Sequence, residues 1–133
     1  GPDLPFNAHF AIGNFIRDAL NNLPITITGD GTTIRSYLDQ RDLAIWLLEM
    51  LQNGGAGEVY NLGSDEEISI IDLANLVKKT VNPNVDINIE RSKGNHGHRT
   101  RYVPDVSKAR NNLSLEIRYS LTDAILNAAD RNK

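Results

Sequence analysis

Two hydrophobic rhythms alternate along this chain, and the alternation restricts it to an α/β fold. Ile12, Phe15, Ile16, Ala19, Leu20 and Leu23 recur at intervals of three and four, which predicts an amphipathic helix over about 9–21, stopped by Pro24. The next run, Ile25-Thr26-Ile27-Thr28, alternates and is rich in β-branched side chains, so it reads as a strand ending in the turn Gly29-Asp30-Gly31. Between Asp39 and Asn53 the apolar residues Leu43, Ala44, Trp46, Leu47, Leu48, Met50 and Leu51 cover more than one stripe of a helix. Such a helix needs cover on two sides and is expected between layers. Glu58 to Leu62 reads as a short strand, and Ser69 with Asp72 caps a helix carrying Ile70, Leu73, Ala74, Val77 and Val81. Val85 to Ile89 alternates as a half-exposed strand, Glu90 to Arg101 has no period, and Asp105 and Ser120 each open a further helix. The order is helix, strand, helix, strand, helix, strand, helix, helix.

A chain of 133 residues, 40% hydrophobic and 23% charged, is sized for a single core, so residues 1–133 are expected to act as one unit. Its 14 basic and 17 acidic residues leave a net charge of -3, which argues against a nucleic-acid binder that works by bulk attraction. Without cysteine there is no disulfide scaffold and no thiolate metal site, and the compartment leans to the cytosol. No run approaches the ~18 apolar residues of a membrane span, and the first residues lack the layout of a secretory signal. A soluble, cytoplasmic protein with no membrane partner is expected.

Two catalytic signatures are missing. Gly29-Asp30-Gly31 continues to Ile34 where a dinucleotide fingerprint needs its third glycine. Tyr37, Tyr60, Tyr102 and Tyr119 are followed four residues later by Arg41, Ser64, Val106 and Asp123, so none has a lysine on the next helical turn. No catalytic residue is assigned.

Three ordered segments are nevertheless distinctive. They are Gly29-Asp30-Gly31-Thr32-Thr33-Ile34-Arg35-Ser36-Tyr37-Leu38 followed by Asp42, then Val59-Tyr60-Asn61-Leu62-Gly63, then Arg101-Tyr102-Val103-Pro104-Asp105 followed by Ala109. Together they resemble the C-terminal part of the NAD-dependent epimerase/dehydratase family, the extended short-chain dehydrogenases that act on nucleotide-diphosphate sugars, with dTDP-glucose 4,6-dehydratases among them. The resemblance implies an α/β substrate-binding lobe with small sheet pieces and about five helices, separated from the Rossmann half that carries NAD and the Tyr-x-x-x-Lys pair. It also implies a partner, a nucleotide-diphosphate sugar, and a lobe that is catalytically inert and binds no cofactor by itself. In an intact parent, NAD would take hydride from the sugar C4, and elimination or re-reduction would distinguish a 4,6-dehydratase from a 4-epimerase.

Arg35 can fork onto two pyrophosphate oxygens, and the arginine of this motif contacts the diphosphate in the family. On spacing alone, the commoner reading of Arg35 is a solvated ion pair of Asp39 or Asp42, and it is the motif match that favours the diphosphate. Asn61 offers a donor and an acceptor at a strand end, and the resemblance turns it toward the nucleotide; the alternative is an amide serving its own turn. The stretch from Gly94 to Tyr102 gathers His96, His98, Arg99 and Arg101, a cationic patch suited to a dianion or else a solvated basic loop. The family's arginine in this loop is shared here between Arg99 and Arg101, with His98 beside them. His96 and His98 lack the carboxylate or thiolate company of a metal site, so none is assigned. Thr28 occupies the place of a residue presented to the base, where it offers an edge contact but no stacking. Phe10 stands near the position where several dehydratases carry a phosphate-binding lysine.

The expectation is that Arg35 and Asn61 converge on one anion-holding cleft. The resemblance implies that the broad apolar helix over 39–53 and the strand containing Tyr60 pack partly against the Rossmann half, so here they are expected to leave an apolar patch through which the chain self-associates as a dimer. The rival reading is a non-catalytic protein-interaction domain of the same architecture.

Overall fold

The computed structural model describes residues 10–90 and 100–132. Among them it has five helices: α1 (Ala11–Leu20), α2 (Gln40–Asn53), α3 (Ile70–Val81), α4 (Ser107–Leu113) and α5 (Leu121–Asp130). Five short strands accompany them: β1 (Ile25–Thr28), β2 (Ile34–Arg35), β3 (Ile68–Ser69), β4 (Ile87–Glu90) and β5 (Arg101–Tyr102). β1 pairs in parallel with β4, Ile25 beside Ile87, and the connection between them contains α3. The second sheet has the order β3-β2-β5, with β3 antiparallel and β5 parallel to β2.

The helix starts follow their capping chemistry. Ser69 Oγ accepts the Asp72 N–H, Ser120 and Asp123 form a reciprocal capping box, and the Asp39 carboxylate accepts the Arg41 N–H ahead of α2. Asp105 accepts the Ser107 N–H and so leads into α4 from two residues ahead.

The apolar residues form two cores. Phe15, Ile16 and Ala19 of α1 pack with Ile25 and Ile27, with Leu73, Ala74 and Val77 of α3, and with Ile125, Ala128 and Ala129 of α5. A smaller cluster gathers Trp46 of α2 with Val106, Ala109, Leu113 and Leu115. Two side chains pin α2 to the segment before α5: Trp46 Nε1 donates to Glu116 O at 3.1 Å, and Asp42 Oδ2 accepts the N–H groups of Arg118 and Tyr119, both at 3.0 Å.

Three expectations are corrected. Glu58 to Leu62 is not a strand. It has no ladder partner among the described residues and is held by side chains instead: Lys108 Nζ donates to Val59 O at 2.9 Å and lies 4.9 Å from the Tyr60 ring centre, while Asn61 Nδ2 donates to Asp105 O at 2.9 Å. Arg35 and Arg101, expected in a loop after a turn and in an aperiodic stretch, lie on the paired strands β2 and β5, which are too short to show a period in sequence. Among the described residues the helix over 39–53 is covered on one side only: Trp46 is fully buried, whereas Leu47, Leu48 and Leu51 are 51%, 59% and 81% exposed.

Candidate functional site

The β1–β2 connection sets the site. Gly29 and Gly31 have φ of +96° and +74°, a region that glycine enters without strain. Gly31 O accepts the Ile71 N–H at 3.1 Å and Thr33 O accepts the Ile70 N–H at 3.0 Å, so the turn is docked on the start of α3. A Cβ at Gly31 would stand 3.1 Å from the Ile71 Cβ. The Asp30 carboxylate accepts the Thr32 N–H and hydroxyl, and the chain then enters β2 through Ile34, whose N–H donates to Thr100 O at 3.0 Å.

This docking places Arg35 beside a cleft of about 670 Å³ whose walls include Phe10, Asn14, Thr26, Thr28, Thr33 and Tyr37. Arg35 Nη1 donates to Ile34 O at 2.8 Å and to Thr100 O at 3.3 Å. Neither Asp39 nor Asp42 pairs with it: Asp39 is engaged by Arg41, and Asp42 by backbone N–H groups. Arg17, Arg41, Arg101 and Arg110 each hold a carboxylate, of Asp18, Asp39, Glu67 and Asp65 respectively. Arg35 has no carboxylate partner among the described residues. Burial raises the Tyr37 hydroxyl pKa above its ordinary value, and the nearby Arg35 charge opposes that shift.

Asn61 belongs to a second cleft, of about 400 Å³, lined by Ser36, Leu38, Gly63, Ser64, Arg101 and Pro104 among others. Its amide is taken by Asp105 O. Arg101 donates through Nε to Glu67 at 2.9 Å, and this hydrogen bond is the main reason the Glu67 carboxyl sits below its ordinary pKa. The expected single cleft is therefore divided: Thr28 shares one side with Arg35, Asn61 shares the other with Arg101, and Ser36 lines both. The reason is register. Arg101 pairs with Ile34 and Tyr102 with Arg35, so the two arginines stand at consecutive positions of neighbouring strands and leave opposite faces. His98 and Arg99 lie outside the described residues. Among the described residues no group of three His, Cys, Asp or Glu side chains is placed to hold a metal ion, and no helix is long and apolar enough to cross a membrane.

Sequence reasoning left Tyr37 and Asn14 unassigned. The signal for Tyr37 was present, because two residues after Arg35 in an extended run it returns to the same face. Asn14 gave no such signal, being one polar residue on an amphipathic helix.

Residues 1–63 match the NAD dependent epimerase/dehydratase family. UDP-glucuronic acid decarboxylase 2 of Arabidopsis thaliana is 30% identical over 125 residues, 94% of this chain and 27% of the relative. The chain is thus similar to the NAD-dependent epimerase/dehydratase family. A second relative, UDP-glucuronic acid decarboxylase 1 of the same plant, is 29% identical over 94% of this chain and 28% of its own length. Two solved structures carry the same fold. UDP-glucuronic acid 4-epimerase from Bacillus cereus in complex with NAD superposes with a TM-score of 0.81 at 26% identity, covering 98% of this chain and 40% of the other. UDP-glucose 4-epimerase from Thermotoga maritima, with UDP-glucose, gives 0.86 at 21% identity over 99% and 42%. The chain thus spans well under half the length of these epimerase/dehydratase family members.

Proposed function

We propose that this chain is the C-terminal, nucleotide-sugar-binding portion of an NAD-dependent epimerase or dehydratase, and that its own task is to hold the nucleotide diphosphate. The observation that carries this reading is Arg35: a half-buried guanidinium at a cleft, anchored by one nitrogen to two carbonyls and matched by no carboxylate among the described residues. Its remaining N–H groups suit two oxygens of a diphosphate, in a geometry a lysine cannot reproduce. Thr26, Thr28, Thr33 and Asn14 add hydroxyl and amide groups on the walls, matched to the polar edges of a sugar or a base.

NAD is the cofactor the family uses, and the residues present do not fit it. The turn Gly29-Asp30-Gly31 lacks the third glycine, and the start of α3 offers no free N–H cradle. The first N–H groups of α3 are taken by Thr33 O and Gly31 O, and that of Asp72 by Ser69 Oγ. Redox chemistry is accordingly assigned to another part of a longer protein, and no step is derived through the cofactor here.

Isothermal titration of the 133-residue chain with UDP-glucose, UDP-glucuronic acid, a CDP-sugar and dTDP-glucose tests the binding claim. Arg35→Ala is expected to weaken the preferred ligand roughly 10- to 100-fold, the loss of charge-assisted hydrogen bonds. Equal affinity in both proteins, or no heat with any of the four, refutes it.

A further inference from the structure

The turn that ends α2 carries a labile peptide unit. Of the fifteen asparagines in the sequence, only Asn53 is followed by glycine. An asparagine side chain is open to attack by the backbone nitrogen of the next residue, and glycine has no Cβ to shield that nitrogen. Asn53 is the last residue of α2 and is exposed, and Gly54, Gly55 and Gly57 lead away from it.

Two bonds hold the pair in its native form. Asn53 Nδ2 donates to the Glu49 carboxylate one turn back along the helix, which draws the side chain away from Gly54. Gly54 N–H donates to Met50 O at 3.0 Å, which engages the nitrogen. Both bonds belong to the last turn of α2, and that turn is poorly anchored. The buried residues of the helix, Asp42 and Trp46, lie in its first half, whereas Leu51 is among the most exposed apolar side chains described. A helix end of this kind opens at little cost.

We propose that Asn53 is a site of spontaneous deamidation, gated by the opening of this turn, and that its conversion unlatches the end of α2. In the open turn the Gly54 nitrogen gives its proton to water or hydroxide and attacks Asn53 Cγ. A carbon–nitrogen bond forms, Nδ2 leaves as ammonia, and a cyclic imide results. Water then opens the ring at one carbonyl or the other, giving aspartate or isoaspartate with no change of oxidation state. Either product replaces an amide donor with a carboxylate beside Glu49, so an attractive contact becomes a like-charge pair at i, i+4, at the negative end of the helix dipole. Isoaspartate also routes the main chain through the former side chain, and the added methylene takes Gly54 N–H out of register with Met50 O. This inference does not rest on the nucleotide-sugar reading, since Asn53 lines neither of the two clefts described above.

The test holds the 133-residue chain at mildly alkaline pH and physiological temperature, samples it over days, and reads it by peptide mass mapping, with isoaspartate detected by enzymatic carboxyl methylation. Position 53 is expected to convert several-fold ahead of every other asparagine. Its rate should lie within about tenfold of the rate in denaturing urea, because only a frayed turn has to open. Asn53→Gln keeps an amide but closes the corresponding ring far more slowly, so that position should stay unconverted. Glu49→Ala removes the acceptor that restrains the side chain and should speed conversion several-fold. In the converted chain, amide exchange at Gly54 should quicken while the fluorescence of Trp46 stays the same. A wild-type chain in which Asn53 lags behind other asparagines, or converts only in urea, overturns the site. An unaltered rate in Glu49→Ala, or unaltered exchange in the converted chain, overturns the gate as drawn.

Discussion

Asp42 is the side chain whose removal should do the most damage for its size. It is fully buried, its Oδ2 accepts two backbone N–H groups at 3.0 Å each, and its Oδ1 has no hydrogen-bond partner among the described residues. Asp42→Ala deletes the only acceptor of the Arg118 and Tyr119 N–H groups and leaves two donors stranded behind α2. At about 1.5 kcal/mol or more for each bond to a charged acceptor, the loss comes to roughly 3 to 5 kcal/mol. That is a large share of the ~5–15 kcal/mol that stabilises a domain of this kind. With a urea slope near ~2 kcal/mol/M the midpoint should fall by about 2 M, read by circular dichroism together with the fluorescence of the single tryptophan, Trp46, one turn along the same helix face. Asp42→Asn is the discriminating control. Its amide oxygen can still accept both N–H groups, and it removes a buried charge, so it should lose less than half of what alanine loses. If alanine costs under about 0.5 kcal/mol, or asparagine costs as much as alanine, the two bonds are not what fixes α2 to the chain ahead of α5.

Two further substitutions probe the site and its surroundings. Gly63→Ala would put a Cβ 2.5 Å from Pro104 Cγ, a ring that cannot swing aside, so a loss of about 1 to 3 kcal/mol is expected in urea unfolding, with altered amide shifts at Asn61 and Arg101 in the adjoining cleft. Asp39 tests the acid limb. The Arg41 hydrogen bond is the main cause that holds its carboxyl below the ordinary value, so its contribution to stability is complete above about pH 4 and is lost as the pH falls through the lowered folded value. Asp39→Asn keeps a competent helix cap and should flatten the fall in melting temperature on acidification; an unchanged acid limb would remove Asp39 from the account.

What the sequence made legible is what local chemistry decides. Ser69 and Ser120 announced α3 and α5 because a hydroxyl three residues ahead of an acidic side chain satisfies N–H groups that would otherwise be stranded. Ile25 to Thr28 announced β1 because alternation and β-branching act within four residues. Glu58 to Leu62 carries the same local signal and fails, since a strand exists only with a partner, and here Lys108, about fifty residues away, satisfies Val59 O instead. The same non-locality hid β2 and β5. Two residues have no period, and only the pairing of Ile34 with Arg101 reveals that Arg35 and Arg101 leave opposite faces. For α2, composition led to the expectation of cover on two sides, and nothing in the order of residues said that only the Trp46 side finds it within the described residues.

The division of the site also ranks its cations. Arg101 already holds a carboxylate, that of Glu67, and the two side chains are 55% and 42% exposed, so solvent screens the pair and it adds little to the fold. The Arg101 charge is already answered in part by Glu67, so an incoming anion gains less there than at a guanidinium without a carboxylate partner. Asn61 is likewise engaged, its amide donating to Asp105 O across the second cleft. Arg35 stands differently, since its contacts are to neutral carbonyls of its own strand and of the chain leading into β5, and these orient the guanidinium without neutralising it. A charged donor held in place and, among the described residues, left without a counter-charge is the arrangement in which an anion gains most on arrival, because no competing ion pair is broken and little side-chain freedom remains to be lost. Of the residues that the sequence singled out and the structure describes, Arg35 is the one whose surroundings leave it ready for a diphosphate, whereas Arg101 already carries a carboxylate and one N–H of Asn61 is committed to Asp105 O.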